Sequence, residues 1–312
     1  MTIKISGTGS ALPGRILTNA ELETMVETSD EWITERTGIR ERRIADKDTV
    51  ASLASDACRK ALESAGKKPE DVDLILVATC SPEKLLPCCG CQIQGILGAT
   101  RAVCFDLNAA CSGFLFALET AYAYIRSGVY QNALVVGSEV LSKLVDWKDR
   151  GSCILFGDGA GAVFVESAPE GEGMLGMVQG SDGFQGQVLS CGIASDEFIQ
   201  MDGREVYKFA TRQVPACIEK VLEMTGLKAG EIDHYILHQA NLRILETIAK
   251  RLNISMEKIA VNLDRVGNTS SAAIPVLLDE AVKKKLIKKG DKIVLSGFGA
   301  GLTYGACAMI WG

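Results

Sequence analysis

Short apolar runs, closed by glycine or small polar residues, alternate with longer segments of helical period along the whole chain. Residues 72–78 and residues 133–136 have the length of buried strands, Val103–Leu107 is strand-like, and residues 235–237 form a further apolar run. Met1-Thr2-Ile3-Lys4-Ile5 opens a further strand. Residues 112–127 carry apolar positions at helical spacing and stop at Gly128, which predicts a helix with a glycine terminus. A second helix is expected to begin at about Asn241, just after the strand at 235–237. Strands alternating with helices in this way predict an α/β fold.

Comparing the two halves of the chain adds a second layer. Asp71-Val72-Asp73-Leu74-Ile75-Leu76 reads like Glu231-Ile232-Asp233-His234-Tyr235-Ile236, 160 positions later. At the same displacement Asn108 falls on Asn268, and Leu134-Val135-Val136-Gly137 falls on Val294-Leu295-Ser296-Gly297. Three coincident registers in one order predict a duplicated α/β unit, with equivalent loops arranged around a pseudo-two-fold axis. The linker-like stretch Ala168-Pro169-Glu170-Gly171-Glu172-Gly173 places the boundary between halves 1–168 and 169–312. A site shared by both halves is expected where the two sets of loops meet.

Composition narrows the class. The 312 residues are 47% hydrophobic and 23% charged, which are globular proportions. No apolar run approaches the length of a membrane span, and no secretory leader pattern opens the chain. Eleven cysteines, an odd number without secretory context, predict reduced thiols in a cytoplasmic protein rather than a disulfide framework. A formal charge of −6 argues against a nucleic-acid binder, although it allows a local basic patch.

Only two histidines occur, His234 and His238. His238 closes an apolar run, and the C-terminal ends of strands are where open α/β folds present ligands. Both a satisfied buried histidine and a general base fit that position, whereas His234 reads as a packing or surface residue. Cys111 stands out among the cysteines because it follows a strand and small residues and precedes a helix. A helix N-terminus lowers the pKa of a thiol, so Cys111 is a candidate nucleophile as well as a candidate small corner residue. Cys88-Cys89-Gly90-Cys91 lacks the second ligand pair that a structural zinc site requires. The runs at 157–161 and 297–301 alternate glycine with other residues but lack the dinucleotide-binding spacing. Asn268 sits on the repeat-related partner of the Cys111 loop, where its amide could donate into a site shared with Cys111 and His238.

These residues resemble the β-ketoacyl-acyl carrier protein synthase III family of the thiolase superfamily over essentially the whole chain. The likeness runs through Thr28-Ser29-Asp30-Glu31-Trp32-Ile33 with Arg36-Thr37-Gly38-Ile39, Ala109-Ala110-Cys111-Ser112-Gly113-Phe114, and Leu155-Phe156-Gly157-Asp158-Gly159-Ala160-Gly161. It continues through His238-Gln239-Ala240-Asn241-Leu242-Arg243 and Gly267-Asn268-Thr269-Ser270. The resemblance implies a five-layered αβαβα fold of two duplicated halves, a homodimer, and the condensation that initiates type II fatty acid synthesis. Acyl-CoA, with acetyl-CoA the first choice of primer, would acylate Cys111. Malonyl-acyl carrier protein would then lose CO2 and condense, with His238 and Asn268 holding the enolate. No cofactor and no metal are implied, since acyl-CoA is a substrate.

Further positions carry over by the same resemblance. Ala300 would complete an oxyanion hole with the Cys111 backbone, and Phe298 would screen the nucleophile. Trp32 and Arg150 would sandwich the CoA adenine, with Thr28 and Arg36 beside them. Lys208, Gln239, Ala240, Asn241, Leu242, Arg243, Lys250 and Arg251 would receive the carrier protein. Two departures stand out. Many relatives have three glycines where this chain has Gly299-Ala300-Gly301, so a positive φ there would strain Ala300. Leu86 replaces an aromatic residue that reaches the partner subunit's acyl pocket. The competing expectations are a polyketide or secondary-metabolite condensing enzyme of the same superfamily, and a non-catalytic acyl-CoA-binding homologue.

Overall fold

The computed structural model describes residues 1–192 and 197–312. Its first half builds a five-stranded sheet from β1 (Thr2–Ala11), β2 (Leu74–Ala78), β3 (Val103–Leu107), β4 (Asn132–Glu139) and β5 (Gly159–Ala168), in the order β1-β5-β4-β2-β3. The second half builds a four-stranded sheet from β6 (Gly173–Ser181), β7 (His234–Leu237), β8 (Lys292–Gly299) and β9 (Thr303–Ile310), in the order β7-β8-β9-β6. The main helices are α1 (Asp30–Thr37), α2 (Val50–Ala65), α3 (Cys89–Leu97), α4 (Gly113–Arg126), α5 (Gly203–Thr225), α6 (Leu242–Leu252) and α7 (Ala273–Lys283). None of the described helices is long and apolar enough to cross a membrane.

The unbroken apolar strands follow from burial on both faces. Leu74, Leu76 and Ala78 point into a core with Phe114 and Leu118 of α4, Leu277 and Leu278 of α7, and Ile236 and Leu295 of the second sheet. Ile75 and Val77 point the other way, onto α2 and α3. Tyr235, Leu237 and Val294 likewise face α5 and α6. Helices α4 and α7 therefore form the central layer between two sheets, and the outer helices complete an αβαβα order, as expected.

The 160-residue register is preserved in backbone detail. Ile75 pairs with Leu134 and Tyr235 with Val294, both in parallel. Gly66 and Gly226 end α2 and α5 in the left-handed conformation, at φ 65° and 71°. The Lys68 N–H donates to Asp71 at 2.9 Å and the Lys228 N–H to Glu231 at 2.8 Å. The duplication is incomplete at one edge, where the counterpart of β3 is reduced to an isolated bridge between Tyr235 and Ile259. Two boundaries differ from expectation. The first strand at 72–78 begins only at Leu74, because the Val72 N–H closes a turn onto Pro69 at 3.2 Å. The strand at 133–136 runs on to Glu139.

Candidate active site

Cys111 and Asn268 lie on duplicate turns. After β3, the Asn108 side chain accepts the Ala110 N–H at 3.0 Å and Ala110 turns to φ 46°. The equivalent turn has Asn268 Oδ1 accepting the Ser270 N–H at 2.9 Å, with Ser270 at φ 51°. A single 3-10 turn follows in each case, Ala110–Ser112 before α4 and Ser270–Ala272 before α7. Cys111 is thereby placed at the head of α4, as its sequence context predicts. With Oδ1 engaged, the Asn268 amide can offer only its Nδ2. Its backbone is fixed by the Asn268 N–H to Leu155 O at 2.8 Å and by the Gly157 N–H to Asn268 O at 3.0 Å.

Strand β8 joins the Cys111 turn to His238, while the Asn268 turn packs against β4 at Gly137. The His238 N–H donates to Ser296 O at 2.8 Å, and the imidazole meets the Phe298 ring edge-on at 5.3 Å between centroids. One residue later, a Cβ on Gly299 would lie 2.7 Å from the Cys111 nitrogen, so only glycine lets β8 pass the nucleophile's turn. Ala300 follows and lines a cavity of about 240 Å³ together with Cys111 and Ser270. Ala300 is not among the non-glycine residues with positive φ, and Gly301, at φ 135°, takes the turn instead. The anticipated strain at Ala300 is therefore absent.

The electrostatics differ from expectation. The helix N-terminus predicts a lowered thiol pKa, yet burial pushes Cys111 up to about 12. Ser270 and the residue's own backbone N–H favour the thiolate, while Glu139 opposes it. Desolvation wins because the whole thiol is buried, whereas the terminus of a helix contributes about 0.3–1 kcal/mol. Burial alone lowers His238 to about 4, so its imidazole is neutral at pH 7. Neither ring nitrogen has a partner among the described residues. His234 lies apart at the start of β7, 3.4 Å from Asp291.

Glu139, at the end of β4, escaped the sequence reading. It is fully buried and accepts from Ser81 Oγ at 2.6 Å, Ser271 Oγ at 2.8 Å, Cys80 N at 3.1 Å and Thr79 Oγ1 at 3.2 Å. The available signal was a lone acidic residue closing an apolar strand. Among the described residues no group of three or more Cys, His, Asp or Glu side chains is placed to hold a metal.

The residues carried over for CoA come together. The Arg150 and Arg36 guanidiniums lie 4.8 and 5.7 Å from the Trp32 ring centroid. Arg150 also donates to Glu27 O at 3.0 Å, and Thr28 Oγ1 is buried without a partner. This cluster abuts the head of α6, where Asn241 donates to Arg36 O at 3.0 Å and Arg243 to Glu35 O at 3.2 Å. Lys250 and Arg251 are exposed in the last turn of α6, while Ala240 and Leu242 are half-buried at its head. Lys208, on neighbouring α5, is ion-paired to Glu205 at 2.6 Å. Gln239 requires correction as a docking residue. It is 1% exposed, donates to Asn262 at 3.0 Å and accepts the Asn262 and Leu263 N–H groups, so it holds a loop and cannot meet a partner.

Fold and site together define a class, a condensing enzyme of thiolase fold. Within that class the chain belongs to the β-ketoacyl-[acyl-carrier-protein] synthase III family. The family model for 3-oxoacyl-[acyl-carrier-protein (ACP)] synthase III matches residues 105–183, and the model of its C-terminal part matches residues 222–311. The β-ketoacyl-[acyl-carrier-protein] synthase III of Clostridium acetobutylicum is 48% identical, covering 99% of each chain. The synthase III 1 of Bacillus cereus is 48% identical over all of both chains. The crystal structure of 3-oxoacyl-[acyl-carrier-protein] synthase III from Aquifex aeolicus superposes with a TM-score of 0.97 at 45% identity, covering 99% of this chain and 100% of that one. The priming β-ketosynthase of the R1128 polyketide pathway superposes at 0.94 with 36% identity, covering 99% and 96%. The protein is thus an acyltransferase of the condensing type, acting in the initiation of fatty acid synthesis.

Proposed function

We propose that Cys111 attacks the thioester of a short acyl-CoA, acetyl-CoA first among them, and carries the acyl group to malonyl-acyl carrier protein. CoA leaves with the proton that the Cys111 thiol gives up. Passing an acyl group between sulfurs preserves the reactivity of the thioester, which an ester on serine would largely lose. The Cys111 and Ala300 N–H groups hold the oxyanion of this step, with Phe298 screening the sulfur. Malonyl-acyl carrier protein then binds, and loss of CO2 leaves an enolate that His238 Nε2 and Asn268 Nδ2 stabilise. Each such donor is worth about 3–4 kcal/mol when pre-organised. The enolate carbon attacks the acyl-enzyme, and Cys111 leaves as thiolate and recovers a proton.

The observation that carries this reading is the placement of Cys111 and Asn268 on duplicate turns, with the neutral His238 imidazole, unpartnered among the described residues, tied to β8 where that strand passes the Cys111 turn. The cavity at Cys111 is lined largely by apolar side chains such as Leu141, Leu144, Phe156 and Ile199, which suits a short acyl chain. Trp32, Arg36, Arg150 and Thr28 would bind the adenine end of CoA by stacking and cation–π contact. Ala240, Asn241, Leu242, Arg243, Lys250, Arg251 and Lys208 would present a basic face to an acidic carrier protein. We place the division between the two halves at residues 168 and 169, and the enzyme in the cytoplasm as a homodimer. The half-exposed Val103 on the open edge of β3, with Leu85 and Leu86 standing 76% and 86% exposed, supports the dimer.

Polyketide priming is the second reading, supported by the 36% identity to the R1128 enzyme, which is below the 48% shared with the β-ketoacyl-[acyl-carrier-protein] synthase III of Clostridium acetobutylicum. Intact-protein mass spectrometry after incubation with acetyl-, butyryl- and isobutyryl-CoA tests the reading. A single acyl adduct is expected on the wild type and none on Cys111→Ala. No adduct from any primer would favour a non-catalytic acyl-CoA-binding homologue.

A further inference from the structure

The Glu139 carboxylate ties the two halves together beneath the nucleophile. Its donors Thr79, Cys80 and Ser81 follow β2 of the first half, and Ser270 and Ser271 belong to the Asn268 turn of the second. Ser270 occupies a particular position among them. Its backbone N–H is pinned by Asn268 at 2.9 Å, which leaves the hydroxyl as its movable group. That hydroxyl donates to Glu139 Oε1 at 3.2 Å, and it also lines the Cys111 cavity beside the sulfur. A hydroxyl has one proton to give. It can serve the carboxylate or a thiolate, but not both.

We propose that Glu139 is a positioning residue of this site, which competes with the Cys111 sulfur for the Ser270 proton and so adds to the burial that keeps the resting nucleophile a thiol. The inference rests on the reading of Cys111 as the nucleophile. Its effect runs through the shared proton as well as through the charge of the carboxylate. Cys80 is the other titratable group packed against both Glu139 and Cys111, with its thiol 3.5 Å from the carboxylate. Cys191 lines the same cavity, and His238, in edge contact with Phe298, is a neutral ring. A nucleophile kept protonated at rest is shielded from stray alkylation and oxidation. Its thiolate gains a donor when Ser270 turns from Glu139 to the sulfur.

The test is the pH profile of Cys111 alkylation by iodoacetamide, followed by mass spectrometry of the Cys111 peptide. Glu139→Gln is expected to move the profile down by at least about one pH unit, giving roughly tenfold faster alkylation at pH 8. Ser270→Ala should move it up, and combining the two substitutions should remove most of the Glu139→Gln shift. A Glu139→Gln profile that superimposes on the wild type overturns the proposal. So does a shift of equal size with and without Ser270, since charge alone would then account for it. Should Glu139→Gln fail to fold, Glu139→Asp takes its place, because it keeps the charge but stands one methylene short of Ser270. A smaller downward shift is expected there, and an unchanged profile overturns the proposal. Alkylation reads only the protonation of the thiol. Acyl loading from acyl-CoA, measured in parallel, reads the nucleophile assignment, so failure of one is distinguishable from failure of the other.

Discussion

At the scale of single residues, the site at rest is neutral. Burial sends the pKa of Cys111 up to about 12 and that of His238 down to about 4, so neither group carries charge at pH 7. The histidine leaves a signature in stability. Unfolded, it binds a proton near its ordinary 6.5, but folded it does so only near 4, so the unfolded state holds more protons between those values. Stability linked to His238 is therefore complete above pH 6.5 and drains away as the pH falls toward 4. Between pH 7 and pH 5 the loss should be about 2 kcal/mol. Urea denaturation at both pH values, wild type beside His238→Gln, checks this, and the variant should lack that part of the pH dependence. Asn268 separates the two half-reactions. Asn268→Ala should still form the acyl-enzyme, since no step of loading uses Nδ2, while condensation falls by about two orders of magnitude or more. Loss of both steps would refute that division of labour. The placement of Cys111 was legible in the sequence because a strand end, small residues and a helix start are local features. Its protonation was not, because desolvation depends on what the second half lays over it.

At the scale of elements, α6 shows how one helix serves core and surface together. Ile244, Leu245, Ile248, Ala249 and Leu252 are buried against the second sheet, leaving Lys250 and Arg251 on the outer face. Its head is fixed by Asn241, whose side chain accepts the Arg243 N–H at 2.8 Å. The sequence places the start of this helix at about Asn241, and the structure agrees. The resemblance makes Gln239, two residues before the cap, a docking residue, and the sequence alone does not reveal the three hydrogen bonds its side chain makes to one buried loop. Arg243→Glu reverses a charge at the mouth of the basic face while removing a single ion pair, to Glu35 at 3.6 Å. Turnover with malonyl-acyl carrier protein should fall about tenfold at low salt, with acyl-CoA loading changed less than about twofold. Added salt should narrow the gap by screening the attraction. Equal losses in both assays would point to a folding defect instead.

At the scale of the whole molecule, the duplication explains both what is closed and what is left open. Two sheets clamp α4 and α7 between them, and Glu139 links the halves at the point where their active turns meet. The central core is unfinished along β3, the edge strand of the first sheet. Phe105, Leu107, Tyr124 and Tyr130 are only part-buried there, with Phe105 meeting Tyr124 edge-on at 6.4 Å and Tyr124 meeting Tyr130 at a tilt at 5.4 Å between centroids. Val103 stands 47% exposed on the same strand. An open strand edge beside part-buried aromatics is a liability in a monomer and an asset in a symmetric dimer, where the same edge of a second copy can complete both sheets. Val103→Lys places a charge on that edge and disturbs little else, since the side chain is already half in solvent. Size-exclusion chromatography with light scattering should find the wild type at twice the mass of one chain and Val103→Lys shifted toward one. A monomeric wild type, or a variant as dimeric as its parent, would remove β3 from the interface and leave its exposed edge without a purpose.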